Sequence, residues 1–169
     1  MGNKQTKKIQ SVSQIFPHNV VDQNQKFKCY LIVKDHHYSV VFDLKGESTP
    51  EYVIGIESHV VLYKRTSEKP TVNLKSVRNQ LKRESLKIFN LGLFQPSIIL
   101  EQREQDLTAL EFFHWAMVRF GSEYIGDESG EWSRKFNCQT YAEFLVNDMR
   151  LKWPKEVEIS TEPFKCGHD

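Results

Sequence analysis

The chain of 169 residues, 39% hydrophobic and 27% charged, has room for one domain with a substantial core and too little for two large ones. Its 23 Lys+Arg against 22 Asp+Glu leave a net charge of +1, which lacks the global positive charge of a nucleic-acid binder and argues against nucleic acid as the partner. No apolar run approaches the roughly 18–20 residues needed to cross a bilayer, and the first eight residues lack the apolar stretch of a secretory signal, so a cytoplasmic domain is expected.

The N-terminus carries a different address. Gly2 follows the initiator Met and Thr6 completes the M-G-x-x-x-[ST] pattern for N-myristoylation. Lys4, Lys7 and Lys8 add three positive charges, with no acidic residue among the first ten. One myristoyl chain binds a membrane only marginally, with an association constant of about 10⁴ M⁻¹. Each nearby Lys adds roughly 1 kcal/mol against an anionic leaflet, so chain and charges together make a two-signal anchor. The expected location is therefore peripheral, on the inner face of a membrane. Residues 1–25 form a flexible membrane-targeting segment, 26–155 the domain proper and 156–169 a C-terminal tail.

Strand patterns begin at Phe27. Cys29–Val33 and Tyr38–Leu44 are β-rich runs, separated by the polar Lys34-Asp35-His36-His37, which suits a tight turn. Lys45 to Pro50 is turn chemistry. Tyr52–Ile56 and Ser58–Tyr63 predict a hairpin or one bent strand, with Gly55 a candidate bulge. Residues 74–88 predict a helix capped by Asn73, with Leu74, Val77, Leu81 and Ile88 on one face and Lys75, Arg78, Lys82, Arg83 and Lys87 outside it. Residues 64–87 carry eight basic and two acidic residues, and 101–131 carry two basic and eight acidic, so the neutral total hides a dipolar layout. The basic stretch reads as a solvated face, with a second membrane contact as the sharper alternative. Thr108-Ala109-Leu110-Glu111 is a capping box opening an apolar helix through Phe120, within which His114 reads as a packing residue. A last helix is expected from Cys138 to Met149, with Tyr141, Phe144, Leu145 and Met149 at core spacing. The fold class is thus α+β, a small antiparallel sheet packed against helices.

Cys29, Cys138 and Cys166 are an odd number with no CxxC, so neither a disulfide framework nor a metal site is expected. Cys138 differs from the other two in its placement. It opens the last helix just after Asn137, a good N-cap residue. Helix N-terminal N–H groups and the helix dipole favour a thiolate and can hold the oxyanion formed when a thiolate attacks a carbonyl. A base is still required. His37, at the head of one strand, and His59, on another, are the candidates if those strands are neighbours: one imidazole faces the sulfur and the other orients it. The bland alternative is a packing cysteine.

Phe136-Asn137-Cys138-Gln139-Thr140-Tyr141 through Phe144 resembles the Asn-Cys-(Glu/Gln)-x-(Phe/Tyr) block of circularly permuted papain-like thiol enzymes. That superfamily includes the lecithin–retinol acyltransferase-like proteins and related deubiquitinase- or desumoylase-like peptidases. His37-Tyr38-Ser39-Val40-Val41-Phe42 resembles their His-bearing strand, with Ser39 where the acyltransferases carry Gly, and the order of His before Cys is the same. Over about residues 27–150, the resemblance implies a permuted papain-like fold with Cys138 as nucleophile, His37 as base and His59 as the third member. Together with the N-terminal anchor, it implies a membrane-tethered, cysteine-dependent hydrolase or acyltransferase acting on an amide, ester or thioester of a protein, peptide or lipid substrate through an acyl-enzyme. No metal or organic cofactor is called for. The N–H groups of Cys138 and its helix neighbours would serve the oxyanion, with Gln139 either a further oxyanion donor or, the preferred reading, facing solvent. The alternative is a non-catalytic, lipid-anchored binding module on the same fold.

Overall fold

The computed structural model describes residues 20–22, 24–62, 70–80, 85–98, 107–108, 111, 118–121, 134 and 136–160. Seven strands lie among them: β1 (Val20–Val21), β2 (Phe27–Lys34), β3 (His37–Asp43), β4 (Tyr52–Leu62), β5 (Pro70–Gln80), β6 (Leu86–Phe94) and β7 (Leu107–Thr108). Helix α1 spans Cys138–Asp148. The molecule is α+β: five antiparallel strands in the order β5-β4-β3-β2-β6, with α1 packed on the sheet. Val20–Val21, within the N-terminal segment, pairs separately with Leu107–Thr108.

Strands β2 and β3 form a hairpin closed by the Lys34–His37 pair, and its two-residue turn is Asp35-His36. Asp35 has φ 53°, a left-handed conformation for which Asp is one of the better-suited residues. After β3 the Asp43 carboxylate accepts the N–H groups of Glu47 (2.9 Å) and Ser48 (3.0 Å), organising the loop that the sequence marks as a turn. Residues 52–62 are one continuous strand rather than a hairpin. Gly55 is not a bulge: a Cβ there would lie 2.3 Å from the Phe42 carbonyl oxygen, so glycine is required by the close approach of β3.

The largest departure from expectation lies at residues 74–88: 74–80 and 86–88 are strand and not helix, and 81–84 lie outside the described residues. Leu74 belongs to the cluster beneath α1, whereas Val77 packs on the opposite face against Tyr30, Ile32, Val41 and Val53. In β6, Ile88 serves that second cluster and Phe89 the first. Apolar residues three apart thus supply two faces of one sheet and imitate a helical stripe. Of the helix expected from Thr108, Thr108 itself is paired in β7, Glu111 and residues 118–119 are helical, and His114 with most of the remainder lies outside the described residues.

Helix α1 begins and ends where its sequence indicates. Tyr141, Ala142, Leu145 and Val146 are buried against Val40, Phe42, Ile56 and Val60. Phe120 closes this core, with ring centroids 5.0 Å from Tyr141 and 5.2 Å from Phe144. The Tyr141 and Ser58 hydroxyls hydrogen-bond at 2.8 Å, locking helix to sheet. Burial pushes the Tyr141 phenol up to about 12, against the opposing effect of that bond.

Candidate active site

The N-terminus of α1 is built by Asn137. Its side chain accepts the N–H groups of Gln139 (2.9 Å) and Thr140 (3.0 Å), while Thr140 Oγ1 accepts the Asn137 N–H at 3.0 Å, a reciprocal capping box. Cys138 therefore occupies the first helical position. The cap also corrects an expectation. Because it takes the N–H groups of Gln139 and Thr140, these helix neighbours of Cys138 are committed and cannot form an oxyanion hole while the cap is closed.

The tip of the β2–β3 hairpin rests on this helix end. Cys138 Sγ is 3.6 Å from the His36 carbonyl oxygen and donates to it, and the same oxygen accepts Gln139 Nε2 at 2.9 Å. Gln139 is thus buried and engaged rather than facing solvent. Bond geometry then puts the Cα of His37, the next residue, within about 6.5 Å of the sulfur.

The structure joins His37 and His59 directly: His37 Nε2 and His59 Nδ1 are 2.6 Å apart, with the rings edge to face. Strand alternation explains the pairing. Val41 registers opposite Glu57, so His37 and Ser39 on β3 share a face with Glu57 and His59 on β4. Tyr38, Val40, Phe42 and Ser58 project to the α1 side. The hairpin turn meets the helix end through the His36 backbone carbonyl, one residue before His37.

The network extends to residues the sequence reading did not single out. Ser39 Oγ donates to Glu57 Oε2 at 3.0 Å. Glu57 Oε1 lies 3.8 Å from His59 Nδ1 and 3.4 Å from Lys75 Nζ. Ser39, Glu57 and His59 are all buried. A signal was present: Glu57 and His59 are two apart on a strand, as are His37 and Ser39, so each pair must share a face.

Cys138 is 1% exposed. Residues 151–160 run across this end of the fold. The Tyr38 hydroxyl donates to the Glu158 carbonyl, Ser160 N–H donates to Gln139 Oε1 at 2.7 Å, and Trp153 Nε1 donates to the Val157 carbonyl at 2.9 Å. Burial pushes the Tyr38 phenol upward, and Cys138 and Glu158, when ionised, add to this. Cys29 is a contrast: fully buried in the core and near Asp43, its thiol is held protonated far above the ordinary range. Among the described residues no cluster of three or more His, Cys, Asp or Glu side chains is arranged to hold a metal ion, and no helix is long and apolar enough to cross a membrane. Gly2 and Cys166 lie outside the described residues. No family model matches the chain, and neither the curated proteins nor the solved structures provide a match.

Proposed function

We propose that this protein is a cysteine-dependent hydrolase or acyltransferase of the permuted papain-like kind, tethered to the cytoplasmic face of a membrane by a myristoyl group on Gly2. The observation that carries the reading is the 2.6 Å contact between His37 Nε2 and His59 Nδ1, on a strand that starts one peptide unit from the Cys138 sulfur. With its Nε2–H donated to His59, His37 presents Nδ1 as the basic nitrogen. Cys138 gives its proton to that nitrogen and the thiolate attacks a carbonyl carbon of an amide, ester or thioester. As the C–S bond forms, the carbonyl oxygen gains the negative charge. The intermediate then collapses, the bond to the leaving group breaks, and the imidazolium returns its proton to that group. Water or an acceptor nucleophile cleaves the acyl-enzyme.

The test is the rate of iodoacetamide alkylation of Cys138 against pH, read by peptide mapping so that Cys29 and Cys166 are scored apart. Fast labelling well below pH 8, lost in His37→Ala, supports the dyad; behaviour of an ordinary thiol, with a midpoint near about 8.5 or above, refutes it. One observation favours a second reading, a non-catalytic lipid-anchored module: the burial of Cys138. Absence of labelling at every pH, in a protein that still floats with vesicles, would select that reading. For the anchor, Gly2→Ala should release the protein from membranes, and a variant that stays bound excludes myristoylation as the tether.

A further inference from the structure

The polar chain that begins at His37 does not end at His59. Glu57 lies beyond it on the same face, buried, with one carboxylate oxygen bonded to Ser39 Oγ and the other 3.8 Å from His59 Nδ1. A buried carboxylate is costly to desolvate and is retained where a positive charge or strong donors meet it. Lys75 is a partial explanation, since its ammonium is 3.4 Å away but half-exposed, where an ion pair contributes little. The site described above supplies a second positive charge whenever Cys138 transfers its proton.

We infer that Glu57 is a positioning residue of this site, the counter-charge for the imidazolium formed on the His37–His59 pair. The inference rests on the proposed Cys138–His37 chemistry. The charged groups beside the pair are Glu57 on β4 and, through it, Lys75 on β5; Ser39 on β3 is neutral, and the Cys138 sulfur at the head of α1 meets the His36 carbonyl, one residue before His37. A carboxylate beside His59 favours the charged imidazole, and so favours thiolate plus imidazolium over thiol plus neutral imidazole. Removing that charge lowers the thiolate fraction. The direct field of Glu57 on the sulfur has the opposite sign, because losing a nearby anion eases thiol ionisation. The direction of the shift therefore separates the two effects.

The experiment compares the pH profile of Cys138 alkylation in the intact protein with that of Glu57→Gln, Glu57→Asp and Lys75→Met. Glu57→Gln should slow labelling at pH 6.5 by about three- to tenfold and move the midpoint up by about 0.5–1 pH unit. Glu57→Asp, which keeps the charge, should restore most of the rate. Lys75→Met alters a half-exposed side chain and should move the midpoint down, which keeps the inference testable even if Glu57→Gln does not fold. A Glu57→Gln midpoint that is unchanged or lowered overturns the inference, as does an upward shift in Lys75→Met. His37→Ala distinguishes the levels. If it leaves the wild-type profile intact, the dyad itself fails and the role of Glu57 falls with it. If it abolishes rapid labelling while Glu57→Gln has no effect, the dyad stands and the counter-charge is refuted.

Discussion

Gly55→Ala tests the sheet on which the candidate site stands. The new methyl carbon would sit 2.3 Å from the Phe42 carbonyl oxygen and 2.8 Å from its carbon, both backbone atoms of the neighbouring strand. An ordinary C···O approach is about 3.3 Å, so roughly 1 Å must be found by moving β4 away from β3. Overpacking of this kind costs about 1–3 kcal/mol, and each ladder hydrogen bond weakened by the separation adds about 1 kcal/mol. The expected loss is about 3 kcal/mol. With a urea dependence of about 2 kcal/mol per molar, the unfolding midpoint should fall by about 1.5 M. Two other glycines calibrate the result. Gly46→Ala meets nothing within 4 Å but has φ +65°, so only its left-handed backbone is penalised, by about 1 kcal/mol. Gly121→Ala meets nothing within 4 Å and should be nearly neutral. Urea titrations of the three variants, followed by tryptophan fluorescence, should rank them Gly55, Gly46, Gly121 in order of damage. A Gly55→Ala protein within about 0.5 kcal/mol of wild type, or one milder than Gly46→Ala, would refute the β3–β4 approach.

Asn137→Ala removes the acceptor of two buried helix N–H groups and should cost about 2 kcal/mol in thermal or urea unfolding, more than Thr140→Val, which deletes only the reciprocal half of the box; the reverse order would contradict the cap. Stability should fall at high pH, because Cys29 and Tyr141 keep their protons in the folded state above the pH at which the unfolded chain releases them. The sign follows: the contribution is intact below about pH 8.5, declines by about 1.4 kcal/mol per pH unit as the unfolded thiol ionises, and declines more steeply from about pH 10 as the unfolded phenol follows. Tyr141→Phe should flatten the second slope in part, leaving the share of Tyr38, whose phenol is also pushed upward, and a urea midpoint that stays level to pH 11 would exclude all three contributions. Ser160→Pro deletes the N–H that ties the C-terminal segment to Gln139 and should raise Cys138 alkylation about fivefold, the equivalent of one hydrogen bond of about 1 kcal/mol; an unchanged rate would show that these residues do not govern access to the sulfur.

Where one face of an element decides its fate, the residues announced it. Asn137 with the spacing of Tyr141, Phe144 and Leu145 marks α1 to within a residue of its observed end, because a cap and an apolar stripe act on the same helix. The polar Lys34–His37 interval between two β-rich runs marks the hairpin, and Asp35 adopts the left-handed turn such an interval needs. Residues 74–88 fail for the converse reason: Leu74 and Val77 are both sequestered, on opposite faces, and local spacing carries no record of two separate destinations. For the site, Cys138, His37 and His59 could be named from placement, and the His37–His59 contact is present in the fold. Strand alternation alone puts Glu57 beside His59 and Ser39 beside His37, but joining those two pairs to each other and to Lys75 required cross-strand register, which is set by long-range pairing. The engagement of Gln139 likewise depends on Ser160 and the His36 carbonyl, distant in sequence.

The contact between the Cys138 sulfur and the His36 carbonyl has a consequence for timing. It is attractive only while sulfur is the donor; once the proton leaves, two electron-rich atoms face each other across 3.6 Å. If the thiol ionises as proposed above, rotation about the Cys138 Cα–Cβ bond to another staggered position relieves that contact. On that proposal, resting and reactive sulfur are distinct rotamers, and the isotope-labelled carbonyl carbon of residue 36 is a spectroscopic reporter of which one is populated.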